Sequence, residues 1–240
     1  MMAGTRDSGL GTREKAPVLT IDGPSGVGKG SVSARVARAL DWHVLDSGAV
    51  YRAVAAAALE KGLKADDEAG LVSLCESLDL QFEAGDNGIL VFLDGRAVDD
   101  RLRTESVSAM SSKVAVLPAV RAALLDLQRG FRRPPGLVAD GRDMGTVVFP
   151  DAPIKIFLDA SVEERANRRY KQLKEKGESV KFLRLFRDLE ARDRRDRERA
   201  VSPTVAADDA VVIDSTRLTL EQVVNRVLDE VQRRVDSSGT

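Results

Sequence analysis

The chain has 240 residues, with 37 Lys and Arg against 38 Asp and Glu and a formal net charge of −1. That near balance argues against a protein whose main partner is the backbone of a nucleic acid polymer. The only cysteine, Cys75, excludes an intrachain disulfide and indicates a reducing compartment. Its apolar, helix-like surroundings predict that the thiol is buried.

The first residues are polar and lack an apolar signal core, so residues 1–16 are predicted to form a disordered tail. The longest apolar run, Ala53 to Leu59, is far below the roughly 20 residues that a membrane-spanning helix needs. We therefore expect no membrane partner, a cytoplasmic location and, as the simplest assembly, a monomer.

A glycine-rich segment follows the first apolar strand, Val18–Ile21, and precedes a helical pattern over Ser31–Leu40. Gly23, four intervening residues, Gly28 and then Lys29 give the spacing of a phosphate-binding loop. Glycines let several backbone N–H groups point at one anion, the helix N-terminus adds positive charge, and the lysine supplies a mobile cation. Glycine-rich turns also join strands to helices without a ligand, but here the strand, the lysine and the helix coincide. This segment, called the P-loop below, comprises Gly23, Pro24, Ser25, Gly26, Val27, Gly28, Lys29, Gly30 and Ser31.

One position departs from the general P-loop pattern. Gly30 stands where most P-loops place the hydroxyl that binds Mg²⁺, and Ser31 comes one place later. This ending is similar to that of nucleoside monophosphate kinases and favours a small phosphotransferase over a general nucleotide hydrolase.

A second short strand, Trp42–Leu45, is predicted to lead through a turn at Asp46-Ser47-Gly48 into an alanine-rich helix, Ala49–Lys61. The single histidine, His43, lies on this strand. We expect a structural role for it rather than a catalytic one.

The segment from about residue 63 to 118 differs from the rest of the chain. Gly85-Asp86-Asn87-Gly88 is a hairpin signal, and a hairpin within a strand–helix alternation indicates an insertion. The predicted elements here are a helix (Ala69–Leu78), two strands (Leu80–Ala84 and Ile89–Leu93) and two further helices (Glu105–Val116 and Pro118–Arg132).

The alternation then resumes and predicts an α/β fold. Five apolar strands, mostly separated by helices, indicate one parallel sheet covered on both faces, the core of a P-loop kinase. Ligands bind beyond the carboxyl ends of such strands, where the P-loop, Asp46-Ser47, Asp140–Asp143 and Asp159 all fall. The remaining predicted elements are three strands (Leu137–Ala139, Ile154–Leu158 and Val211–Ile213) and two helices (Val162–Lys176 and Leu220–Val235).

Arginines are dense near residues 184–199, where they alternate with acidic residues. On a helix, Arg192, Asp196 and Arg199 would share one face. A solvated helix with many ion pairs would give the same pattern, but phosphoryl transfer needs several cations around the moving group. We therefore predict an arginine-rich lid over residues 172–199, with a hinge at Gln172–Ser179.

Other charged residues follow the predicted strands. Arg142 lies in a glycine-flanked loop directly after a strand, whereas Arg52 and Arg121, taken alone, are typical of surface positions. Asp140 and Asp159 both have positions suited to a magnesium ligand, and the sequence does not separate them. Since no nucleophile–base pair and no Cys/His cluster stands out, covalent and zinc chemistry are not indicated.

At this point the residues resemble one family, the bacterial cytidylate kinases, from about Val18 to Val235. The resemblance is carried by the motifs at 21–30 (Ile-Asp-Gly-Pro-Ser-Gly-Val-Gly-Lys-Gly), 45–52 (Leu-Asp-Ser-Gly-Ala-Val-Tyr-Arg), 139–150 (Ala-Asp-Gly-Arg-Asp-Met-Gly-Thr-Val-Val-Phe-Pro) and 192–197 (Arg-Asp-Arg-Arg-Asp-Arg). The insertion is likewise similar to the enlarged monophosphate-binding region of those enzymes.

The resemblance implies transfer of the γ-phosphoryl group of ATP to CMP or dCMP with Mg²⁺, and it implies a role for each matching residue. The P-loop would wrap the ATP phosphates, and the residues implied in catalysis are Lys29, Arg142, Arg192 and Arg199. For the acceptor, it implies cytosine recognition by Ser47, Arg121 and Asp143, with Ser47 and Arg121 donating and Asp143 accepting. It implies phosphate binding by Arg52, Arg142 and Arg199, and pentose contacts by Arg192 and Asp196, with Ser112 supporting Asp196.

Three alternatives stay open at this stage. The acceptor could be UMP, AMP or a small metabolite such as shikimate. The chain could instead be a nucleotide-binding switch that hydrolyses slowly, or its arginine segment could bind RNA, although the interleaved acids disfavour that.

Overall fold

The computed structural model describes residues 15–175, 177–199 and 201–238, so nearly all of the predicted tail lies outside the described residues. Strands and helices alternate except in the middle of the chain. In chain order the elements are β1 (Val18–Asp22), α1 (Lys29–Leu40), β2 (His43–Asp46), α2 (Ser47–Glu60), α3 (Glu68–Glu76), β3 (Leu80–Ala84), β4 (Ile89–Leu93), β5 (Arg96–Ala97), α4 (Asp99–Leu102), α5 (Glu105–Val114), α6 (Pro118–Gly130), β6 (Leu137–Gly141), a π-helical turn (Met144–Val148), β7 (Ile154–Asp159), α7 (Val162–Glu175), α8 (Phe182–Glu198), β8 (Val211–Asp214) and α9 (Leu220–Ser238).

Five strands form one parallel sheet in the order β2-β6-β1-β7-β8, which confirms the predicted α/β fold. Because all pairs are parallel, the carboxyl ends of the strands meet at one edge of the sheet. Pairing continues to the register pair Asp22 and Gly141. The predicted strand Leu137–Ala139 is therefore two residues too short, and Asp140 lies within β6 rather than in the following loop.

Helices cover both faces of the sheet. Every residue of β1 is buried, as a strand packed on both faces requires. Leu19 and Ile21 belong to the apolar cluster that contains α1 and α9, whereas Val18 belongs to the cluster that contains α2 and α6. Among the described residues, no single helix has the length and apolar composition to cross a membrane. Helices α5 and α6 meet both criteria only when taken as a pair, and the chain bends by 101° between them.

The insertion forms a second sheet. Strands β3 and β4 have the predicted bounds and pair antiparallel around the Gly85–Gly88 turn. The sequence missed β5 and α4, because elements of two and four residues carry no periodicity. The hairpin tip reaches α1, where Asp86 pairs with Arg38.

Two helices begin earlier than predicted. The turn predicted at Asp46–Gly48 is wrong, because the Asp46 carboxylate accepts the N–H of Ala49 at 2.8 Å and caps a helix that begins at Ser47. Helix α1 begins at Lys29, since Gly28 adopts φ +100° and turns the chain directly into the helix.

The arginine-rich helix ends earlier than its pattern suggested. Helix α8 stops at Glu198, and Arg199 has an extended backbone (φ −64°, ψ 136°), so the prediction that it shares a helix face with Arg192 and Asp196 is wrong. The predicted hinge overlaps the end of α7, which runs to Glu175.

The expectation for Cys75 is confirmed, whereas the structural role expected of His43 stays a prediction. Cys75 is buried, which confirms the prediction, and burial raises the pKa of its thiol to about 11. His43 is exposed at the start of β2, with its Nε2 3.0 Å from the carbonyl oxygen of Pro134.

Candidate active site

The P-loop connects β1 to α1 at the carboxyl edge of the sheet. Lys29, the first residue of α1, turns back across the loop, and its Nζ donates to the carbonyl oxygens of Gly23 (2.9 Å) and Pro24 (3.0 Å). Gly23 has φ +148°, and a Cβ there would lie 2.0 Å from the Leu158 carbonyl oxygen, so only glycine fits. The loop is thus held closely against β7 with its lysine buried.

Lys29 lies beside a carboxylate. Its Nζ is 3.9 Å from Oδ1 of Asp140, and both side chains are less than one-tenth exposed. Burial and then the nearby Arg142 lower the pKa of Lys29, while burial raises that of Asp140. An anionic ligand placed here would favour the charged form of the lysine.

The two carboxylates that the sequence left unseparated differ in their surroundings. Oδ2 of Asp140 is 3.6 Å from the position that a Cβ on Gly30 would take, so this carboxylate faces the P-loop. Oδ1 of Asp159 instead accepts the N–H of Ala160 at 2.9 Å, and its carbonyl oxygen accepts from Ser215. Asp140 therefore adjoins the phosphate-binding surface, and Asp159 stabilises the β7–α7 connection.

Three arginines, Arg52, Arg142 and Arg192, lie close to one another near the end of β6. Arg52 donates to Asp46 at 2.9 Å, and Arg142 donates to Asp196 at 3.3 Å. Burial, followed by repulsion from Arg142, lowers the pKa of Arg192 to about 10. The Nε atoms of Arg52 and Arg192 are buried and have no hydrogen-bond partner within the part of the chain that the structure describes. Buried donors of this kind indicate a place for an anion.

A second polar cluster includes Arg121 and Asp143. They form an ion pair in which the side chains are 11% and 5% exposed. Arg121 also donates to the hydroxyl of Ser202 at 2.7 Å, and its guanidinium lies 5.7 Å from the ring centre of Tyr51. Burial raises the pKa of Tyr51 to about 12. In the sequence, only the family resemblance indicated a role for Arg121, yet this arginine lies at the centre of the cluster.

Ser47, the first residue of α2, is buried against α6. Its hydroxyl donates to Oε1 of Gln128 at 2.7 Å, and Nε2 of Gln128 donates to the Leu124 carbonyl oxygen at 3.2 Å. Tyr51 lies one helical turn after Ser47, so the two face the same side of α2.

Two predicted residues have other partners. Ser112 is exposed and its hydroxyl donates to the Ser108 carbonyl oxygen of its own helix at 3.0 Å, while the Asp196 carboxylate accepts from Arg142. Nε of Arg199 donates to the Ser202 carbonyl oxygen, and burial lowers the pKa of Arg199. The structure therefore brings Arg199 next to Arg121 through Ser202, while among the described residues Ser112 and Asp196 form no hydrogen bond with each other.

Sequence reasoning missed a buried ion pair. Arg165, 1% exposed, forms a two-pronged pair with Asp193 of α8 and also donates to the carbonyl oxygens of Ala160 (3.0 Å) and Ser25 (2.9 Å). One guanidinium thus contacts the start of α7, α8 and the P-loop. No local pattern distinguishes Arg165 from the other charged residues of α7.

A second missed residue is Asp22, the last residue of β1. Its two carboxylate oxygens accept the N–H groups of Met144 and Gly145, each at 2.8 Å. Burial raises its pKa to about 6. The backbone that follows Arg142 and Asp143 is thereby fixed to the strand that enters the P-loop.

These features together define the class of protein. A parallel α/β sheet, a P-loop with a buried lysine and several partly buried arginines near the end of β6 make a P-loop kinase, an enzyme that moves a phosphoryl group between two bound anions.

Comparison with known proteins gives the family. A family model described as cytidylate kinase matches residues 19–233. A cytidylate kinase of Aeromonas salmonicida is 54% identical over 226 residues, covering 94% of this chain and 98% of that protein. One of Salmonella arizonae is 56% identical over 220 residues, covering 92% and 97%. The chain belongs to the cytidylate kinase family, and its reaction is that of a nucleoside monophosphate kinase.

Solved structures that it resembles include a gluconokinase from Sinorhizobium meliloti 1021, with a TM-score of 0.46, 16% identity and coverage of 94% of this chain and 97% of that one. Another is the shikimate kinase of Bacteroides thetaiotaomicron, with a TM-score of 0.43, 11% identity and coverage of 90% and 98%.

Proposed function

We propose that this protein transfers the γ-phosphoryl group of ATP to CMP or dCMP, giving ADP and CDP or dCDP. The observation that carries the proposal is the pair of buried Nε donors on Arg52 and Arg192, which have no partner within the described residues and lie near Arg142. A bound nucleoside monophosphate would supply oxygens to both, the phosphate to Arg52 and the pentose and transferring phosphoryl group to Arg192.

The donor would bind along the P-loop. The backbone N–H groups of residues 23–31 and the N-terminus of α1 would hold the ATP phosphates. Lys29 would exchange the carbonyl oxygens of Gly23 and Pro24 for phosphate oxygens, because a charged acceptor is a stronger partner than a carbonyl.

The chemistry would consist of positioning and charge neutralisation. The acceptor phosphate is already an anion at neutral pH, so no strong general base is needed. Lys29, Arg142, Arg192 and Arg199 would stabilise the negative charge on the transferring group. Arg192 and Asp196 would contact the pentose, and Arg52 the acceptor phosphate.

Base recognition would involve the cluster around Asp143. Its carboxylate can accept a hydrogen bond from the exocyclic amine of cytosine, whereas the O4 carbonyl of uracil would leave it facing another acceptor. An unpaired buried group of this kind costs about 1–3 kcal/mol, which favours CMP over UMP.

The chain also fits Mg²⁺, which binds through one or two carboxylates and substrate phosphates. Asp140 is buried and faces the P-loop next to Lys29, so it would hold the ion. When bound, the ion would neutralise charge on the transferring phosphoryl group.

A coupled assay that detects ADP tests the proposal. ATP is offered with CMP, dCMP, UMP, AMP or shikimate, and we expect kcat/KM to be highest for CMP and dCMP. Equal values for CMP and UMP would contradict the base-recognition argument. ATP hydrolysis that is indifferent to CMP would instead favour the nucleotide-binding switch.

The remaining expectations from the sequence stay predictions. A monomer is checked by light scattering, the lack of RNA affinity by filter binding at low salt, and the cytoplasmic location by fractionation.

A further inference from the structure

Gln128 is a buried polar residue to which the proposed reaction gives no role. Its side chain is 1% exposed and lies between α6, its own helix, and the first turn of α2. Both ends of its amide are bonded, Oε1 to the Ser47 hydroxyl at 2.7 Å and Nε2 to the Leu124 carbonyl oxygen at 3.2 Å.

These two hydrogen bonds have only one possible direction. The Leu124 carbonyl can only accept, so the amide nitrogen of Gln128 must face it and Oε1 must face Ser47. A serine hydroxyl has one proton, and Ser47 donates that proton to Oε1. Its oxygen is left with lone pairs alone, so towards any further partner Ser47 is an acceptor. This differs from the expectation that Ser47 donates to the base.

Tyr51 connects Ser47 to the Arg121 and Asp143 pair. Tyr51, one turn along α2 from Ser47, packs its ring 5.7 Å from the Arg121 guanidinium, and Arg121 is paired with Asp143. A base bound there would meet two acceptors, the Asp143 carboxylate and the Ser47 oxygen. The exocyclic amine of cytosine has two N–H donors, whereas O4 of uracil has none.

We infer that Gln128 is a specificity-determining residue that acts through Ser47. By accepting the hydrogen bond of the Ser47 hydroxyl, it leaves the serine oxygen as an acceptor, and the nucleotide site then selects an amino pyrimidine over an oxo pyrimidine. The inference rests on the proposed use of CMP. It makes Gln128 a positioning residue, because its amide contacts the serine rather than the base.

The test compares kcat/KM for CMP and UMP in wild type and in Gln128→Met, a substitution of similar length with no hydrogen-bonding oxygen. The freed Ser47 hydroxyl can rotate and donate to O4 of uracil. We expect the CMP-to-UMP ratio to fall about tenfold, mainly through faster use of UMP. Burial favours the neutral form of the carboxyl in Gln128→Glu, whose O–H can donate to the Leu124 carbonyl oxygen while its other oxygen accepts from Ser47, so the ratio should stay within about twofold of wild type.

Repeating Gln128→Met in a Ser47→Ala background separates this effect from a packing effect. With no hydroxyl to redirect, the substitution should leave the ratio of the Ser47→Ala protein unchanged. A ratio that stays at the wild-type value in Gln128→Met, or that falls equally with and without Ser47, overturns the inference. Wild-type protein that uses no CMP contradicts the proposed function itself, and this inference with it.

Discussion

The buried pair of Arg165 and Asp193 leads to a sharp prediction about stability. The side chains are 1% and 6% exposed, so neither charge is solvated by water. Asp193→Asn keeps the shape but removes the negative charge, and one amide N–H group would then face the guanidinium. Leaving one charge of a buried pair uncompensated costs about 3–5 kcal/mol of unfolding free energy. For a chain of this size that corresponds to a fall in Tm on the order of 10 °C.

The same helix offers a matched control. Asp188 pairs with Arg184 at 3.8 Å, with side chains 68% and 73% exposed, so Asp188→Asn should change the free energy by less than about 0.5 kcal/mol. The double variant Arg165→Met/Asp193→Leu should recover most of the stability, since no charge is left alone. Urea unfolding with linear extrapolation gives all three values. Equal losses in Asp193→Asn and Asp188→Asn would refute the reasoning.

Three further predictions concern the P-loop and its strand. Lys29→Ala should lower kcat at least about 100-fold with an unchanged circular dichroism spectrum, whereas the exposed Lys61→Ala should be active; an active Lys29→Ala would contradict the role of the loop. Gly23→Ala would place a Cβ 2.0 Å from a carbonyl oxygen, so it should lower Tm and raise the KM for ATP. Gly28→Ala should do so far less, because its Cβ would have no atom within 4 Å and only the φ of +100° would be strained. Similar losses in the two variants would contradict the steric argument for Gly23. Because the folded pKa of Asp22 is about 6 against an ordinary 3.8, the folded state binds its proton more tightly, so wild type should lose about 2 kcal/mol of unfolding free energy relative to Asp22→Asn as pH rises from 4 to 7. Stability curves that stay parallel for the two proteins from pH 4 to 7 would contradict the raised pKa of Asp22.

The sequence predicted the parts of the fold whose signal is local. The strands β3 and β4 have the predicted bounds because Gly85–Gly88 marks the turn between two apolar runs, and the P-loop is identified by its glycine and lysine spacing between a strand and a helix. The predicted boundaries were wrong where tertiary contacts extend an element. Strand β6 continues through Asp140 because it stays paired with β1 up to Asp22.

The contacts that hold the site together join residues far apart in the chain. Asp22 and Met144 are separated by 122 positions, and Ser47 and Gln128 by 81. No periodicity links such positions, so a single sequence gives no reason to pair them. For the same reason Arg165 could not be distinguished from its exposed neighbours until Asp193 lay opposite it.

In the proposed reaction, strand β1 would position the binding sites of both substrates. Its chain continues into the loop for the donor, and its last side chain, Asp22, anchors the backbone that carries Arg142 and Asp143. If both substrates bind as proposed, the spacing between donor and acceptor would be set by the five buried residues of β1 rather than by the helices that pack around them. Substitutions in the insertion would then change the affinity for an acceptor, while the direction of phosphoryl transfer would stay the same.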